Sequence, residues 1–345
     1  MLFAMIASLF SSELAIDLGT ANTVVYTREQ GIVSDEPSII AIQEQQDGTR
    51  FPLSIGRAAK EMVGKTPSHV NTVRPIRDGV VADSHLARLL LKHFIKQASK
   101  HRIGRHLRVI LGVPPSTSTV EQRAMVEPAE AAGADEVYLI YEPVAAALGA
   151  GLAICEPYGH MIVDIGSGTT DIAIISLGDL VYSKTLHVGG DAMDTAVARM
   201  LRRKYQLEIG EQMAEWLKIT LGSVQPHTPV QYARVKGIDC VTGAPRAHEI
   251  VSDDVRAALL DPIDAIIASV REAFDTTPPE LVSDIIDSGL TLTGGGGLLH
   301  GLVPYIHEAL GLPVRLAPDP MACVALGAGQ ALGHSDLRQQ VAMCL

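Results

Sequence analysis

The sequence predicts an internally duplicated α/β protein of two similar lobes, each opening with a strand, a turn of small and hydroxylated residues, and further strands. Three observations carry this expectation. Asp17-Leu18-Gly19-Thr20-Ala21-Asn22 and Asp164-Ile165-Gly166-Ser167-Gly168-Thr169-Thr170-Asp171 repeat one design in the two halves of the chain. Each follows an apolar run, Leu14-Ala15-Ile16 or Met161-Ile162-Val163, that reads as a buried strand. The 345 residues, 47% of them hydrophobic, suffice for about two domains with cores of their own.

Element by element, Thr23-Val24-Val25-Tyr26 follows the first turn and is expected to pair back on Leu14-Ala15-Ile16 as a hairpin. In the second copy Ile172-Ala173-Ile174-Ile175 follows likewise, and Gly178-Asp179 then signals a two-residue turn into Leu180-Val181-Tyr182-Ser183. Between the copies, Leu107 to Val113 reads as a buried strand ending at Pro114, and Ser118 or Thr119 caps a helix starting near Val120-Glu121. Pro128 is expected to kink that helix unless it restarts there. Glu136-Val137-Tyr138-Leu139-Ile140 is the next strand, and Glu142-Pro143 opens an Ala-rich helix with proline in its first turn. Late in the chain, Leu290-Thr291-Leu292-Thr293 leads into Gly294-Gly295-Gly296-Gly297 and then a helix from Leu298-Leu299. Four consecutive glycines cost chain entropy, so they point to a close backbone approach to a ligand.

The chemistry of the repeated turns is that of a phosphate site. Glycine lets backbone N–H groups approach a polyphosphate, hydroxyls add donors, and an aspartate can hold a divalent cation through its water shell. Two such turns facing each other would clamp one nucleotide between two lobes.

Composition excludes several classes. With 28 Lys+Arg against 39 Asp+Glu the net charge is −11, and no basic stripe exists, so no nucleic-acid partner is expected. Cys155, Cys240, Cys323 and Cys344 are scattered without metal or redox spacing and are expected to be reduced and mostly buried. The twelve histidines make no HExxH pattern. No apolar run is long enough to span a bilayer.

The first twelve residues carry no charged side chain other than the terminus and lack the basic start of a signal peptide, so no cleaved leader is expected. On a helical wheel Leu2, Met5, Ile6 and Leu9 share a face flanked by Phe10, while Ala4, Ser8 and Ser11 lie opposite. Such a helix either lies in a bilayer interface or packs on the protein's own surface.

At this point the chain strongly resembles the superfamily of actin, Hsp70 and sugar-kinase ATPases, and within it the bacterial actins of the MreB family. The resemblance runs from about Leu14 to Gly329. Its further markers are Arg74-Pro75-Ile76-Arg77-Asp78-Gly79-Val80, Glu142-Pro143-Val144-Ala145-Ala146-Ala147, Val188-Gly189-Gly190-Asp191, Leu292-Thr293-Gly294-Gly295-Gly296 and Asp319-Pro320-Met321-Ala322-Cys323-Val324-Ala325. It implies an actin-like ATPase fold in which two lobes share duplicated ribonuclease-H-like cores, each with a smaller subdomain.

The implied organisation is an amphipathic membrane-binding segment at 1–12, then a first lobe at 13–145 with its small subdomain at about 37–72. A second lobe follows at 146–333, with a small subdomain at about 184–250 and a stretch at about 318–333 packing back on the first lobe. Residues 334–345 remain as a tail.

Carried over residue by residue, the resemblance assigns Asp17 and Asp164 to catalysis through Mg2+ and its waters. Thr20, Ala21 and Asn22, with Gly166, Ser167, Gly168 and Thr169, line the phosphates of ATP. Glu215, Trp216, Leu217 and Lys218 match the helix beside ribose and base, and Gly295, Gly296, Gly297 and Leu298 match the turn below the nucleoside. Glu142 matches the glutamate that orients the attacking water, although an acid at a helix N-terminus also serves the helix dipole. Leu2, Phe3, Ile6, Leu9 and Phe10 are the implied membrane contacts.

Three departures stand out. Ser167 replaces the middle glycine of the second phosphate turn, and Asp171 stands where the family usually ends it with glutamate. Trp216, the only tryptophan, replaces a commonly polar residue and either stacks near the base or packs. The loop His101-Arg102-Ile103-Gly104-Arg105-His106 lacks the paired bulky apolar residues that some members insert into membrane.

The implied function is an ATP-dependent, membrane-associated bacterial actin that forms filaments and maintains rod shape by organising cell-wall synthesis. Its implied partners are further copies of itself in paired antiparallel protofilaments, the inner face of the cell membrane, and membrane proteins of the elongation machinery. Chain length sets the expectation against an Hsp70, which needs a further substrate domain, and against a sugar kinase. Two alternatives stand beside it, a nucleotide-binding scaffold with little hydrolysis and a plasmid-partitioning actin.

Overall fold

A computed structural model of the chain describes residues 11–45, 49–98 and 106–344. They fall into two compact units. The first takes the described residues up to Pro157, together with Ile175–Leu180 and those from Met321 onward; the second takes Tyr158–Ile174 and Val181–Pro320.

In the first unit a six-stranded sheet has the order Ala342–Cys344, Glu136–Tyr141, His106–Val113, Ser11–Leu18, Asn22–Thr27, Gly31–Pro37. The last three form an antiparallel meander, and the expected hairpin is seen with Leu14 opposite Thr27 and Leu18 opposite Thr23. His106–Val113 runs parallel to both Ser11–Leu18 and Glu136–Tyr141. Alternation sorts the strand residues between two faces. Leu14, Ile16, Val109, Leu111 and Leu139 pack with Leu90, Leu91 and Phe94 of helix Ser84–Ala98 and with Met125 of helix Thr119–Ala131.

The opposite face lies under helices Glu142–Gly149 and Cys323–Gly333, which cross closely because small residues line them. A Cβ on Gly327 would lie 1.8 Å from the Ala145 carbonyl oxygen, and one on Gly149 would lie 2.0 Å from that of Cys323. A smaller sheet, ordered Arg50–Ile55, Ile40–Glu44, Val70–Val73, has its own buried cluster of Ile39, Ala41 and Ala59.

The second unit repeats this plan. Its main sheet has the order Asp179–Leu186, Thr170–Ser176, His160–Ile165, Leu290–Thr293, Val314–Leu316. Here too a meander of three consecutive strands is extended by parallel partners, His160–Ile165 with Leu290–Thr293 and the latter with Val314–Leu316. The same order in both sheets is the duplication expected from the repeated turns. Val163, Ile165, Ile172 and Ile174 form one core with Leu259, Ile263 and Val270 of the long helix Ser252–Thr276. A three-stranded sheet of Leu207–Glu208, Tyr232–Asp239 and Pro245–Val251 adjoins it.

Several local expectations are refined. Ser118 is the helix cap, in a reciprocal pair with Glu121 that satisfies two N–H groups, and the helix runs through Pro128 to Ala131. The hairpin turn is Leu177-Gly178 rather than Gly178-Asp179, because the two positive φ angles, 55° and 80°, fall on those residues. The glycine run forms a 3-10 turn at Gly295–Leu298, and the next α-helix begins only at Leu302, after Gly301 takes φ 78°. The thiols are not mostly buried: Cys323 is, whereas Cys155, Cys240 and Cys344 lie exposed. Those three sit in a loop, a hairpin turn and an edge strand, where little packs over them. Residues 334–345, expected only as a tail, supply helix Ser335–Val341 and the edge strand Ala342–Cys344.

Candidate functional site

The three parallel strands of the first unit end at one edge of their sheet. Ile16 stands opposite Leu111, and Gly112 opposite Ile140, so Asp17 and Glu142 both emerge at the carboxyl ends of these strands. That is the edge at which open α/β sheets bind ligands. Glu142 is half-buried at the first turn of helix Glu142–Gly149. Its Cγ lies 3.2 Å from where a Cβ on Gly112 would be, so the bare α-carbon of Gly112 makes room for the carboxylate.

The first turn is tight. A Cβ on Gly19 would meet the Asn22 carbonyl oxygen at 2.8 Å. Ser38 donates its N–H to the Ala21 carbonyl at 2.8 Å, and Asn22 Nδ2 donates to Asp35 Oδ1 at 2.8 Å. Asn22 thus ties the turn to the neighbouring strand by its side chain. Thr20 is buried, and its Oγ1 accepts the Gly79 N–H at 3.3 Å.

That last contact brings in residues to which sequence reasoning gave no role. Ile76–Arg77 and Val80–Val81 form a two-stranded hairpin, turned by Asp78 and Gly79 with φ 51° and 76°. Positive φ at both central residues is what Asp-Gly favours. The Asp-Gly pair between Ile76-Arg77 and Val80-Val81 was the available signal. Because the Thr20 oxygen accepts from the hairpin tip, its own proton is free to point elsewhere.

The second turn is built on a helix N-terminus. Gly190 and Asp191, the first residues of helix Gly190–Met200, donate their N–H groups to the carbonyls of Gly166 at 3.0 Å and Ser167 at 2.8 Å. In a trans peptide the C=O and the following N–H point in opposite directions. With the carbonyls of Gly166 and Ser167 turned onto the helix, the N–H groups of Ser167 and Gly168 face away from it. Successive N–H groups so aligned make an anion-binding concavity. Gly189 permits this approach, since a Cβ there would lie 2.6 Å from the Ser167 oxygen. The Gly166 N–H closes the turn on the Thr169 carbonyl at 2.8 Å.

Asp164 is the penultimate residue of strand His160–Ile165, opposite Thr293. Asp164 as a residue is half-buried but its carboxyl is surrounded by protein, and that desolvation, followed by the charge of Asp171, pushes its pKa up to about 7 against the Thr293 hydroxyl. Asp171 is raised as well by burial, although Thr185 Oγ1 donates to it at 2.5 Å. The glycine run lies on this strand end. A Cβ on Gly294, at φ 78°, would fall 2.4 Å from Asp164 Oδ1, and one on Gly296 would fall 2.3 Å from Ile165 Cγ2. Gly297 is buried, while Gly295 and Leu298 are exposed.

Helix Glu211–Leu221 carries the remaining predicted residues. Glu215 is half-buried and Trp216 is 43% exposed. Leu217 is fully buried in the hydrophobic core, so its side chain serves packing. Lys218 Nζ donates to the Gly190 carbonyl at 3.0 Å and pairs with Asp194 at 2.9 Å, which commits two of its three donors. Burial raises the Asp194 carboxyl despite this lysine.

Asp17 and Asp164 offer hard oxygen donors suited to Mg2+. Among the described residues no three His, Cys, Asp or Glu side chains converge on a metal position. Each carboxylate by itself suits a cation that keeps waters and phosphate oxygens in its shell, which is how Mg2+ is commonly held. Leu2, Phe3, Ile6, Leu9 and Phe10 lie outside the described residues, as does the loop at 101–105. Ser11 and Ser12 pair with His106 and Leu107 in the first strand, so the segment expected at 1–12 overlaps that strand. No helix of the described residues is long and apolar enough to cross a membrane.

The profile of the MreB/Mbl protein family matches residues 11–340. The cell shape-determining protein MreB of Escherichia coli K12 is 44% identical over 331 residues, covering 95% of each chain. The cell shape-determining protein Mbl of Bacillus subtilis 168 is 40% identical over 328 residues, covering 95% of this chain and 98% of its own. Among solved structures, MreB5 of Spiroplasma citri bound to ADP superposes with a TM-score of 0.90 at 36% identity, over 95% of this chain and 98% of that one. A MamK double helical filament subunit, at 23% identity and a TM-score of 0.79 over 94% of this chain and 99% of that one, shares the fold.

Proposed function

The chain belongs to the MreB/Mbl family of actin-like cell-shape proteins, and on that premise we propose that it is an ATP-binding, weakly ATP-hydrolysing subunit of a membrane-associated filament that maintains rod shape by organising wall synthesis. The carrying observation is the second turn, whose carbonyls are held down by Gly190 and Asp191 so that the N–H groups of Ser167 and Gly168 are presented to an anion. Thr20, freed by the Gly79 N–H to donate its own proton, serves the phosphates from the first turn. Asp17 and Asp164 would hold a Mg2+, which when bound would offset phosphate charge. Glu142, at a strand end, orients the attacking water and accepts its proton. Glu215 and Lys218, with the Gly295–Leu298 turn, hold the nucleoside.

A γ-phosphate distinguishes ATP-bound from ADP-bound subunits, which makes hydrolysis the switch for assembly. Head-to-tail contacts that do not close then give filaments. The S. citri MreB5 complexes with ADP and AMPPNP support the nucleotide reading, and the MamK filament supports self-association as a property of this fold. The apolar residues before Ser11 are the proposed contact with the inner face of the membrane, where proteins of the elongation machinery would meet the filament.

A second reading, a filament scaffold that hydrolyses slowly, is favoured by one observation. Asp171, in place of the usual glutamate, is 3% exposed and committed to Thr185. Phosphate release from the wild type and Glu142→Ala separates the readings: the catalytic role predicts a drop of about 10²-fold or more, whereas equal rates remove it. Sedimentation with liposomes and ATP, comparing the full chain with one starting at Ser11, tests the membrane role. A chain that pellets equally well without its first ten residues overturns that role.

A further inference from the structure

The chain leaving helix Glu211–Leu221 is bound to the chain leaving the glycine turn Gly295–Leu298. Ser223 pairs with His300 in a parallel bridge, and Val224 donates its N–H to the His300 carbonyl at 3.0 Å. Ser223 is fully buried, and its hydroxyl is a hub. It donates to the Gln225 carbonyl at 2.6 Å and accepts the Gln225 N–H at 3.0 Å. His300 Nδ1 lies 3.0 Å from the same oxygen and the His300 carbonyl 3.2 Å from it, so ring and backbone of His300 both meet this hydroxyl. The His300 ring stacks on His227 at 5.0 Å and 22°, and His227 Nε2 reaches back 3.2 Å to the Leu221 carbonyl, the last residue of the helix. Gly222 and Gly301 let the two segments close. A Cβ on Gly222 would lie 3.1 Å from Leu299 Cδ1, and one on Gly301 would lie 3.0 Å from Gln225 Cβ.

We infer that Ser223, His227 and His300 form a clasp that sets the spacing between the helix bearing Glu215 and Lys218 and the turn Gly295–Leu298, and so determines which nucleobase is accepted. The inference rests on the adenine-nucleotide reading above. These are positioning residues, acting on the two nucleoside-binding elements through the backbone at Leu221 and at His300. The phosphate turn has no share in the clasp, since it is closed by Gly190, Asp191 and Thr169. The clasped helix meets the phosphate turn only indirectly, through Lys218 on the Gly190 carbonyl, so loosening the clasp changes recognition of the base more than recognition of the phosphates.

The test displaces a fluorescent ATP analogue, with Mg2+ present, by ATP, GTP and inorganic tripolyphosphate from the full-length wild type, His300→Ala, His300→Asn and His227→Gln. His300 is exposed, so its variants keep the buried hub residue Ser223. His300→Ala is expected to weaken ATP about five- to tenfold, to shrink the preference for ATP over GTP, and to weaken tripolyphosphate clearly less than ATP. His300→Asn keeps an amide, able to donate or accept, near the Nδ1 position and His227→Gln keeps one near Nε2, so both recover part of the ATP preference. Equal weakening of ATP and tripolyphosphate, or an unchanged ATP-to-GTP ratio in His300→Ala, overturns the clasp. A wild type that binds ATP without base preference overturns the clasp alone, whereas one that binds neither ATP nor tripolyphosphate overturns the nucleotide reading as well.

Discussion

Gly327→Ala adds one methyl group where two helix backbones touch. The new Cβ would lie 1.8 Å from the Ala145 oxygen, 2.6 Å from the Gly149 nitrogen and 2.8 Å from the Ala145 carbonyl carbon. All three are backbone atoms, so no side-chain rotation relieves the clash. Ordinary contact needs about 3.5 Å, so helices Glu142–Gly149 and Cys323–Gly333 must part by roughly 1.5 Å. The neighbours at the crossing, Ala145, Ala146, Ala325 and Ala328, are fully buried, and parting the helices forfeits their contacts as well.

Overpacking of this kind costs about 1–3 kcal/mol, and the loss here belongs at the upper end, offset by up to about 1 kcal/mol of helix propensity gained over glycine. A net loss of about 2 kcal/mol lowers Tm by about 4–8 °C in a unit of this size. Gly333→Ala, in the same helix, is the control. Its Cβ would make ordinary contacts of 3.8–3.9 Å with Arg28, so the propensity gain is unopposed and Tm is expected to hold or rise by a degree or two. The assay is thermal unfolding followed by circular dichroism, with phosphate release measured in parallel. Because Glu142 heads the displaced helix, Gly327→Ala should also slow release severalfold while Gly333→Ala does not. A Tm shift of the same sign and size in both variants refutes the close-packing argument.

Two further predictions concern pH. The Asp164 carboxyl has a folded pKa of about 7 against an ordinary value of 3.8, so its contribution to stability is fully present below about pH 4 and is lost as pH rises through 7. Asp164→Asn keeps the neutral form, and in the nucleotide-free protein its denaturation midpoint should gain on the wild type between pH 5 and pH 8, by on the order of 2 kcal/mol; a gap that stays constant across this range counts against the buried-charge account. Asp239 is the opposite case. The Thr242 N–H, then Arg246 and the Val241 N–H, hold its carboxyl down at about 2, so its stabilisation is present above pH 4 and lost as pH falls toward 2. Asp239→Asn should be less stable than the wild type at pH 6, with the gap narrowing by pH 3 in urea unfolding; a gap that widens on acidification refutes the role of the carboxylate.

What the sequence disclosed divides by the range of the interaction. The meanders around Asp17 and Asp164 were legible because strand, turn and strand are neighbours in the chain and alternate in hydropathy. The helix opened by Glu142-Pro143 was legible from its proline and its alanines. The grip of the Asp78-Gly79 tip on Thr20 was not, because a hydrogen bond between distant segments leaves no local pattern. Leu217 was placed beside the nucleoside with its neighbours, yet each residue of a helix faces a different direction, and this one faces the core. The strand Ala342–Cys344 has three residues and no alternation to announce it. The turn at Leu177 went one residue astray because a leucine accepts a positive φ that ordinarily belongs to glycine or asparagine.

The first unit is assembled from both ends of the described chain, whereas almost all of the second lies between them. On a ribosome that asymmetry sets an order of events. Every strand of the second unit's sheets has emerged once Leu316 has, but the first unit still lacks the helix Cys323–Gly333 that covers one face of its sheet and the strand Ala342–Cys344 that closes its edge at Glu136–Tyr141. From the synthesis of Glu136–Tyr141 until that of Ala342–Cys344, that edge offers unpaired backbone to any passing strand, a long interval in which the nascent first unit is open to aggregation.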